Sequence, residues 1–377
     1  MGRDFLLRSI RFVRGGLLSS QKQEKPIPLI ATLAITSRCP LNCYHCSEGH
    51  SESYELPSEK LFSALDDLIA MGCPVIALTG GEPFYRRELI SFLKHIPAWV
   101  TALVFTSGLG LTPDLIAELS KFPNLLICFS LDHSDPKEHD RRRGYPGSFE
   151  IAMEGIQRFQ GTRPEIHVST LVTRDRLEND EVSKFVRIFA NKGVDCVQLF
   201  QPRPVGRLAG NRGVCLVPEE EIRLFQIVRK LNRDPKAPLV VAYPVIEHSS
   251  MLGCCGGYSR LHLDAQGNVC PCDFAPLSFG NISKDSLQNI WKRMRDFFCF
   301  PSNHCLVCGN PEIFGSDRSE RNVKFSEITT PDQLRGSPPG LYRLLGEKAY
   351  GFLVSSLTLA SILVTEWEKG AFSGGGE

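Results

Sequence analysis

From Pro28 onward the chain alternates short runs of β-forming residues with stretches of helical apolar spacing, and this alternation is the tightest constraint on its fold. The runs are LIATLAIT, PVIALTG, TALVFTS, NLLICFSLD, EIHVSTLVT and VDCVQLF. Between them, residues 58–71 and 180–192 carry helix-like spacing, and LPSEKL predicts an N-terminal cap at Ser58. Strand–helix alternation implies a parallel sheet, and nearly continuous apolar strands imply a sheet buried on both faces. Six such units make an α/β fold of the incomplete (β/α)6, TIM-like barrel type, with a doubly wound open sheet as the other arrangement the pattern permits. After a helix near residues 218–232 the character changes: seven cysteines fall among glycines and prolines between Gly253 and Gly309. The expected organisation is an N-terminal segment (1–27), the barrel core (28–233), a small cysteine-rich module (234–315) and a helical tail (316–377).

At 377 residues, about two domains fit the chain, and a formal net charge of +1 gives no global field toward nucleic acid or an anionic surface. The opening MGRDFLLRSIRFVRGG lacks the pattern of a secretory signal, so the 14 cysteines are expected in a reducing cytoplasm, where clustered thiols mean metal or catalysis. Cys73, Cys128, Cys196 and Cys215 stand alone in apolar surroundings and are expected as small core residues.

The segment TSRCPLNCYHCSEG places Cys39, Cys43 and Cys46 on the loop after the first strand, at the strand end where parallel α/β folds hold ligands. Three thiols do not close a four-ligand site. A zinc site would need His45 or His50 as the fourth ligand, and His45 is poorly placed beside Cys46. A cubane iron–sulfur cluster on three thiols instead keeps one iron open.

This spacing, C-x3-C-x2-C with His45 before the last cysteine, resembles the signature of the radical S-adenosylmethionine (radical SAM) enzymes. The resemblance implies a [4Fe–4S] cluster on Cys39, Cys43 and Cys46 whose open iron binds S-adenosylmethionine, which is then cleaved reductively to a 5′-deoxyadenosyl radical. LTGGEPFYRREL after the second run resembles the family's GGEP motif, which implies that Gly80, Gly81, Glu82 and Pro83 receive the cofactor's amino group. By the same resemblance Ser107, Ser130 and Asp132 face the cofactor, Arg143 approaches its carboxylate and the Gly206 backbone lies by the adenine. Arg141 and Arg142 are expected as a solvated basic turn.

The segment GCCGGYSRLHLDAQGNVCPCDF, with FGNIS and CFPSNHCLVCGN behind it, resembles the SPASM and Twitch modules of this family. The resemblance implies one auxiliary [4Fe–4S] cluster on Cys254, Cys272, Cys305 and Cys308, with Cys254 preferred to Cys255 because Gly257 then takes the family's glycine position. By spacing alone a four-cysteine zinc knuckle fits equally well. Cys255, Cys270 and Cys299 are expected as small buried residues, and LDAQGNV as a turn between two short strands.

The expected activity is therefore hydrogen abstraction from an organic substrate (peptide, small molecule or lipid), leading to oxidation or crosslinking, with flavodoxin or ferredoxin as electron donor and no nucleic-acid partner. Radical C–C bond formation on an isoprenoid is the rival reaction, and a non-catalytic metal or electron-transfer protein is the rival class. Arg3, Arg8, Arg11 and Arg14 near the start give a membrane-surface pattern, and the uncharged residues 349–365 are expected as a helix packed on the barrel; together the two ends leave room for peripheral membrane contact from the cytoplasmic side.

Overall fold

The computed structural model describes residues 27–48, 55–314, 323–328, 334–340 and 342–344. His50, the arginines near the start and residues 349–365 lie outside them. Among the described residues no helix is long and apolar enough to cross a membrane.

The six runs form β1 (Ile30–Thr36), β2 (Val75–Gly80), β3 (Thr101–Thr106), β4 (Leu125–Ser130), β5 (Glu165–Leu171) and β6 (Cys196–Phe200). Three more strands join them: β7 (Leu239–Ala242), β8 (Arg260–Leu263) and β9 (Val269–Cys270). The sheet runs β7-β6-β5-β4-β3-β2-β1-β8-β9, parallel throughout except for the β8–β9 hairpin. The incomplete barrel is thus extended at both edges. β8 pairs directly with β1, Ile30 opposite Arg260 and Leu33 opposite Leu263, so the cysteine-rich segment is hydrogen-bonded to the barrel. The helix Leu287–Phe297 adds a second anchor, the Leu287 amide donating to Asp67 at 3.0 Å on the helix Ser58–Met71.

The two sheet faces differ in chemistry. Leu33, Ile76, Val104, Ile127, Phe129, Ile166, Val168, Val197 and Leu199 belong to one core under the helices. Their alternates point the other way, and parallel register aligns them in rows: Cys128, His167 and Cys196 in one, Ser130, Ser169 and Gln198 in the next. The inner face is therefore buried but polar, which corrects the expectation of strands apolar on both sides.

Local chemistry also corrects the cap. Pro57 occupies the N-cap of the helix Ser58–Met71 without a side-chain bond, while Ser58 Oγ accepts from Arg86 Nη2 at 2.9 Å. Residues 180–192 carry the shorter helix Glu181–Arg187, preceded by Arg174–Glu178. The helix Pro218–Asn232 forms as expected, with Pro218 and three glutamates in its first turn. Asp264 Oδ1 accepts from the amides of Gln266 and Asn268, and Gly267 takes φ +88°, so LDAQGNV makes the expected turn.

Candidate functional site

Backbone bonds, rather than its own thiols, hold the Cys39–Cys46 loop in place. The Asn42 and Tyr44 amides donate to the carbonyls of Arg143 and Arg142 at 2.9 and 3.0 Å. From the far side, the Arg207 amide donates to the Cys46 carbonyl at 3.1 Å and Arg207 Nη1 to the Cys43 carbonyl at 2.7 Å. Gly206 permits this approach: it has φ +56°, and a Cβ there would lie 2.2 Å from the Cys46 carbonyl oxygen. Cys39, Cys43 and Cys46 share this loop, and among the described residues no three His, Cys, Asp or Glu side chains close on a single point.

The GGEP segment supports the loop from β2. The Gly81 and Glu82 amides donate to Thr36 and Arg38 carbonyls at 2.7 and 2.8 Å, and a Cβ on Gly81 would sit 2.2 Å from the Arg38 oxygen. Glu82 is buried and caps the turn Pro83–Tyr85 by accepting from the Phe84 amide at 3.2 Å. It also accepts from Thr106 Oγ1 at 2.7 Å, from the Ser107 amide at 2.7 Å and from Ser107 Oγ at 2.5 Å. Burial pushes its carboxyl up while these donors act against it. Ser107 is thus bound to Glu82 beside the cysteine loop.

At the end of β4, Ser130 Oγ lies 3.3 Å from Ser169 Oγ, and Asp132 is buried with Arg143 Nε at 2.7 Å and His45 Nε2 at 3.6 Å. Burial alone would raise the Asp132 carboxyl, but Arg143 and His45 hold it well below the usual range. Burial pushes His45 down to about 4, so its ring is neutral at pH 7. Arg143 Nη1 also donates to Cys43 Sγ at 3.8 Å. Arg142 is not a solvated residue: it is buried, pairs with Glu138 at 2.8 Å and Asp175 at 3.1 Å, and lies over the Tyr44 ring. Arg141 stays exposed on Glu138.

His139, which no motif singled out, completes the support. The Asp132 amide donates to its Nδ1 at 3.0 Å, and burial with Arg143 nearby pushes its pKa down to about 4. A histidine kept neutral in the fold contributes stability that is lost as pH falls below its unfolded value of ~6.5. Conformational stability should therefore climb between about pH 4 and pH 6.5, and His139→Gln should flatten that rise. Urea unfolding across this range checks it, and an unchanged slope would remove His139 from the account.

The second site assembles from three segments, around Cys254, Cys272 and the turn of Cys305 and Cys308. Cys254 is bridged to Ser302 by paired backbone bonds of 2.7 and 3.0 Å, which brings it to the turn holding Cys305 and Cys308. Burial pushes the Cys254 thiol up to about 12, with Cys305 adding to the effect, and Cys272 is raised by burial with Asp273, Cys254 and Cys305 as neighbours. A cationic metal core reverses this cost by binding the thiolates, so the buried Cys254, Cys272 and Cys305 suit an iron–sulfur cluster, which Cys308 joins once freed from Cys215. At the first site two further observations fit a polar cofactor: the buried His45 Nδ1 and Asp132 Oδ1 have no hydrogen-bond partner. Gly257 is explained as well, since it has φ +73° and a Cβ there would meet the Phe298 ring at 2.2 Å.

Cys254 and Cys255 face different surroundings. Cys254 packs with Cys272 and Cys305 on the main core, whereas Cys255 joins the cluster of Ile27, Leu29, Ile246, Leu252 and Tyr258. Cys254→Ala should cost about half the iron and Cys255→Ala little of it; iron analysis giving the reverse would exchange their roles.

Two residues of the loop after β6 were missed. Cys215, expected in isolation, forms a disulfide with Cys308 across 93 residues, and Arg203 Nη1 donates to Cys308 Sγ at 3.3 Å. Gly206, expected beside the adenine, lies three residues from Arg203, and no sequence feature pointed to Cys215. Cys73, Cys128 and Cys196 are buried as expected, as is Cys270, but Cys299 is exposed.

The radical SAM superfamily profile matches residues 33–188, and the SPASM iron–sulfur cluster-binding domain matches residues 254–310. Curated relatives include an AdoMet-dependent heme synthase of Methanosarcina barkeri, 24% identical with 84% of this chain and 97% of the relative covered. A PqqA peptide cyclase of Ruegeria pomeroyi is 27% identical, with 85% and 90% covered. Among solved structures, Streptococcus suis SuiB bound to precursor peptide SuiA superposes with a TM-score of 0.62 at 16% identity, over 86% of this chain and 79% of that one, which shows a shared fold. With the cysteine loop, the GGEP turn and the second thiol site all on this scaffold, the chain belongs to the radical SAM superfamily and carries a C-terminal SPASM iron–sulfur domain.

Proposed function

We propose that this radical SAM enzyme abstracts hydrogen from a peptide and that the modification ends as a net oxidation or crosslink, with one auxiliary cluster beside the barrel. One observation carries the oxidative reading: a single loop, residues 201–217, contacts both thiol sites, Arg207 and Gly206 at the first and Arg203 and Cys215 at the second. When bound, the first cluster supplies the electron that cleaves S-adenosylmethionine to the radical.

The chain's own residues position and exclude. Glu82 organises the Ser107 turn, Asp132 and Arg143 offer charge of both signs at the mouth of β4, and Gly80 and Gly81 let backbone approach the ligand. The polar inner rows suit amide groups: Gln198 Nε2 lies 2.8 Å from His167 Nδ1, and the buried Gln198 Oε1 and His167 Nε2 have no hydrogen-bond partner. Loading the auxiliary cluster on Cys308 requires the Cys215–Cys308 pair to take two electrons and two protons, which a dithiol supplies. A ferredoxin or flavodoxin donor, and contact with a membrane surface, extend the reading.

The length match to the heme synthase favours a second reading, in which a haem precursor is the substrate. Anaerobic turnover with dithionite and S-adenosylmethionine tests both. Release of 5′-deoxyadenosine with loss of two hydrogens from a peptide encoded beside the enzyme supports the first. Turnover of a haem precursor alone would overturn the substrate class but keep the radical chemistry, whereas no 5′-deoxyadenosine would refute the activity.

A further inference from the structure

Arg203 is a charged side chain buried where the barrel meets the auxiliary site, with only 8% of its surface exposed. Its two terminal nitrogens do different things: Nη1 donates at 3.3 Å to Cys308 Sγ, the sulfur that is paired with Cys215 in this structure and would be a ligand once reduced, and Nη2 donates to Glu247 Oε2 at 3.1 Å. Cys305, Cys254 and Cys272 are also close enough to act on its charge. Glu247 is fixed in turn by Arg260 Nη1 at 3.2 Å, and Arg260 lies over the Tyr243 ring. Glu221 faces Arg203 from the helix Pro218–Asn232, and Asp273 is a neighbour of Cys272. Of these charged groups, Arg203 has the hydrogen bond to a sulfur.

An iron–sulfur centre becomes more negative when it accepts an electron, so a buried cation that also donates to a ligand sulfur stabilises the reduced form. Arginine suits this place because it stays protonated when buried and its fork reaches two partners at once. On the two-cluster reading, we propose that Arg203 is a positioning residue that raises the reduction potential of the auxiliary centre on Cys254, Cys272, Cys305 and Cys308. Glu247 Oε2 accepts from Arg203 Nη2, and a glutamine there would still accept that bond while removing a negative charge that works against reduction.

Redox titration of the reconstituted full-length protein, followed by electron paramagnetic resonance, tests the proposal. The auxiliary signal is the one that survives Cys39→Ala/Cys43→Ala/Cys46→Ala. Arg203→Gln should shift that signal to a more negative potential and leave the first centre's potential unchanged. Arg203→Lys, which keeps the charge but loses the fork, should fall between Arg203→Gln and the wild type, and Glu247→Gln should shift the signal in the opposite sense to Arg203→Gln. An unmoved potential in Arg203→Gln at full iron content would overturn the proposal, as would shifts of the same sign in the Arg203→Gln and Glu247→Gln variants. If Arg203→Gln fails to hold the cluster, Arg203→Lys decides: loss of iron there too would make Arg203 a scaffold residue and overturn the proposal. A wild-type protein with zinc in place of the auxiliary iron would instead defeat the two-cluster reading on which the proposal rests.

Discussion

Full-length protein carrying Cys39→Ala, Cys43→Ala and Cys46→Ala is expected to lose S-adenosylmethionine cleavage entirely and about half its iron, while remaining folded. The loss of activity follows from the ligand set, because these are the three thiols of the loop after β1. The survival of the fold follows from the way that loop is held. Asn42 and Tyr44 bond to Arg143 and Arg142 through backbone, and Arg207 grips the Cys43 and Cys46 carbonyls from the other side. None of these bonds uses a cysteine side chain. Iron analysis, circular dichroism and 5′-deoxyadenosine assay check the three parts separately. Residual cleavage above background would mean that the loop is not the site.

Gly81→Ala should have the second largest effect. A Cβ at this position would lie 2.2 Å from the Arg38 carbonyl oxygen and 2.8 Å from that of Ser37, both of them backbone atoms that cannot rotate away. Relief requires the β2 turn to separate from the cysteine loop, breaking the 2.8 Å bond from the Glu82 amide to Arg38. A stability loss of about 3 kcal/mol is expected, at the upper end for overpacking, with S-adenosylmethionine affinity weakened roughly tenfold or more. Gly147→Ala is the control: Gly147 also has positive φ, +82°, but nothing lies within 4 Å of its Cβ position. That variant should lose only about 1 kcal/mol, from backbone conformation alone, and bind the cofactor normally. Urea unfolding and equilibrium dialysis distinguish the two, and equal effects would remove the steric argument.

The six barrel strands were legible because each is a separate β-rich run between helical segments, and the two cysteine groups because their spacing is local. β7 was not legible: LVVA is four residues long and is held by pairing with β6. The β8–β1 pairing joins residues about 230 apart, as Thr32 Oγ1 to His262 Nδ1 at 2.8 Å illustrates, and periodicity contains no term for such distances. Arg142 looked like a surface charge because Glu138 lies in the same helix but Asp175 does not. Arg203 and Cys215 were missed for a related reason: their partners Cys308 and Glu247 are brought to them by the fold and not by any local spacing. The polar inner face was obscured because small residues such as Cys128 and Ser169 do not interrupt an apolar run enough to mark a face.

The most direct test of the central claim is the metal and sulfide content of anaerobically reconstituted wild-type protein. Two cubane sites predict about eight irons and eight acid-labile sulfides per chain, with no stoichiometric zinc. About four irons and one zinc would retain the radical centre and contradict the auxiliary cluster, and zinc with little iron would contradict the account as a whole.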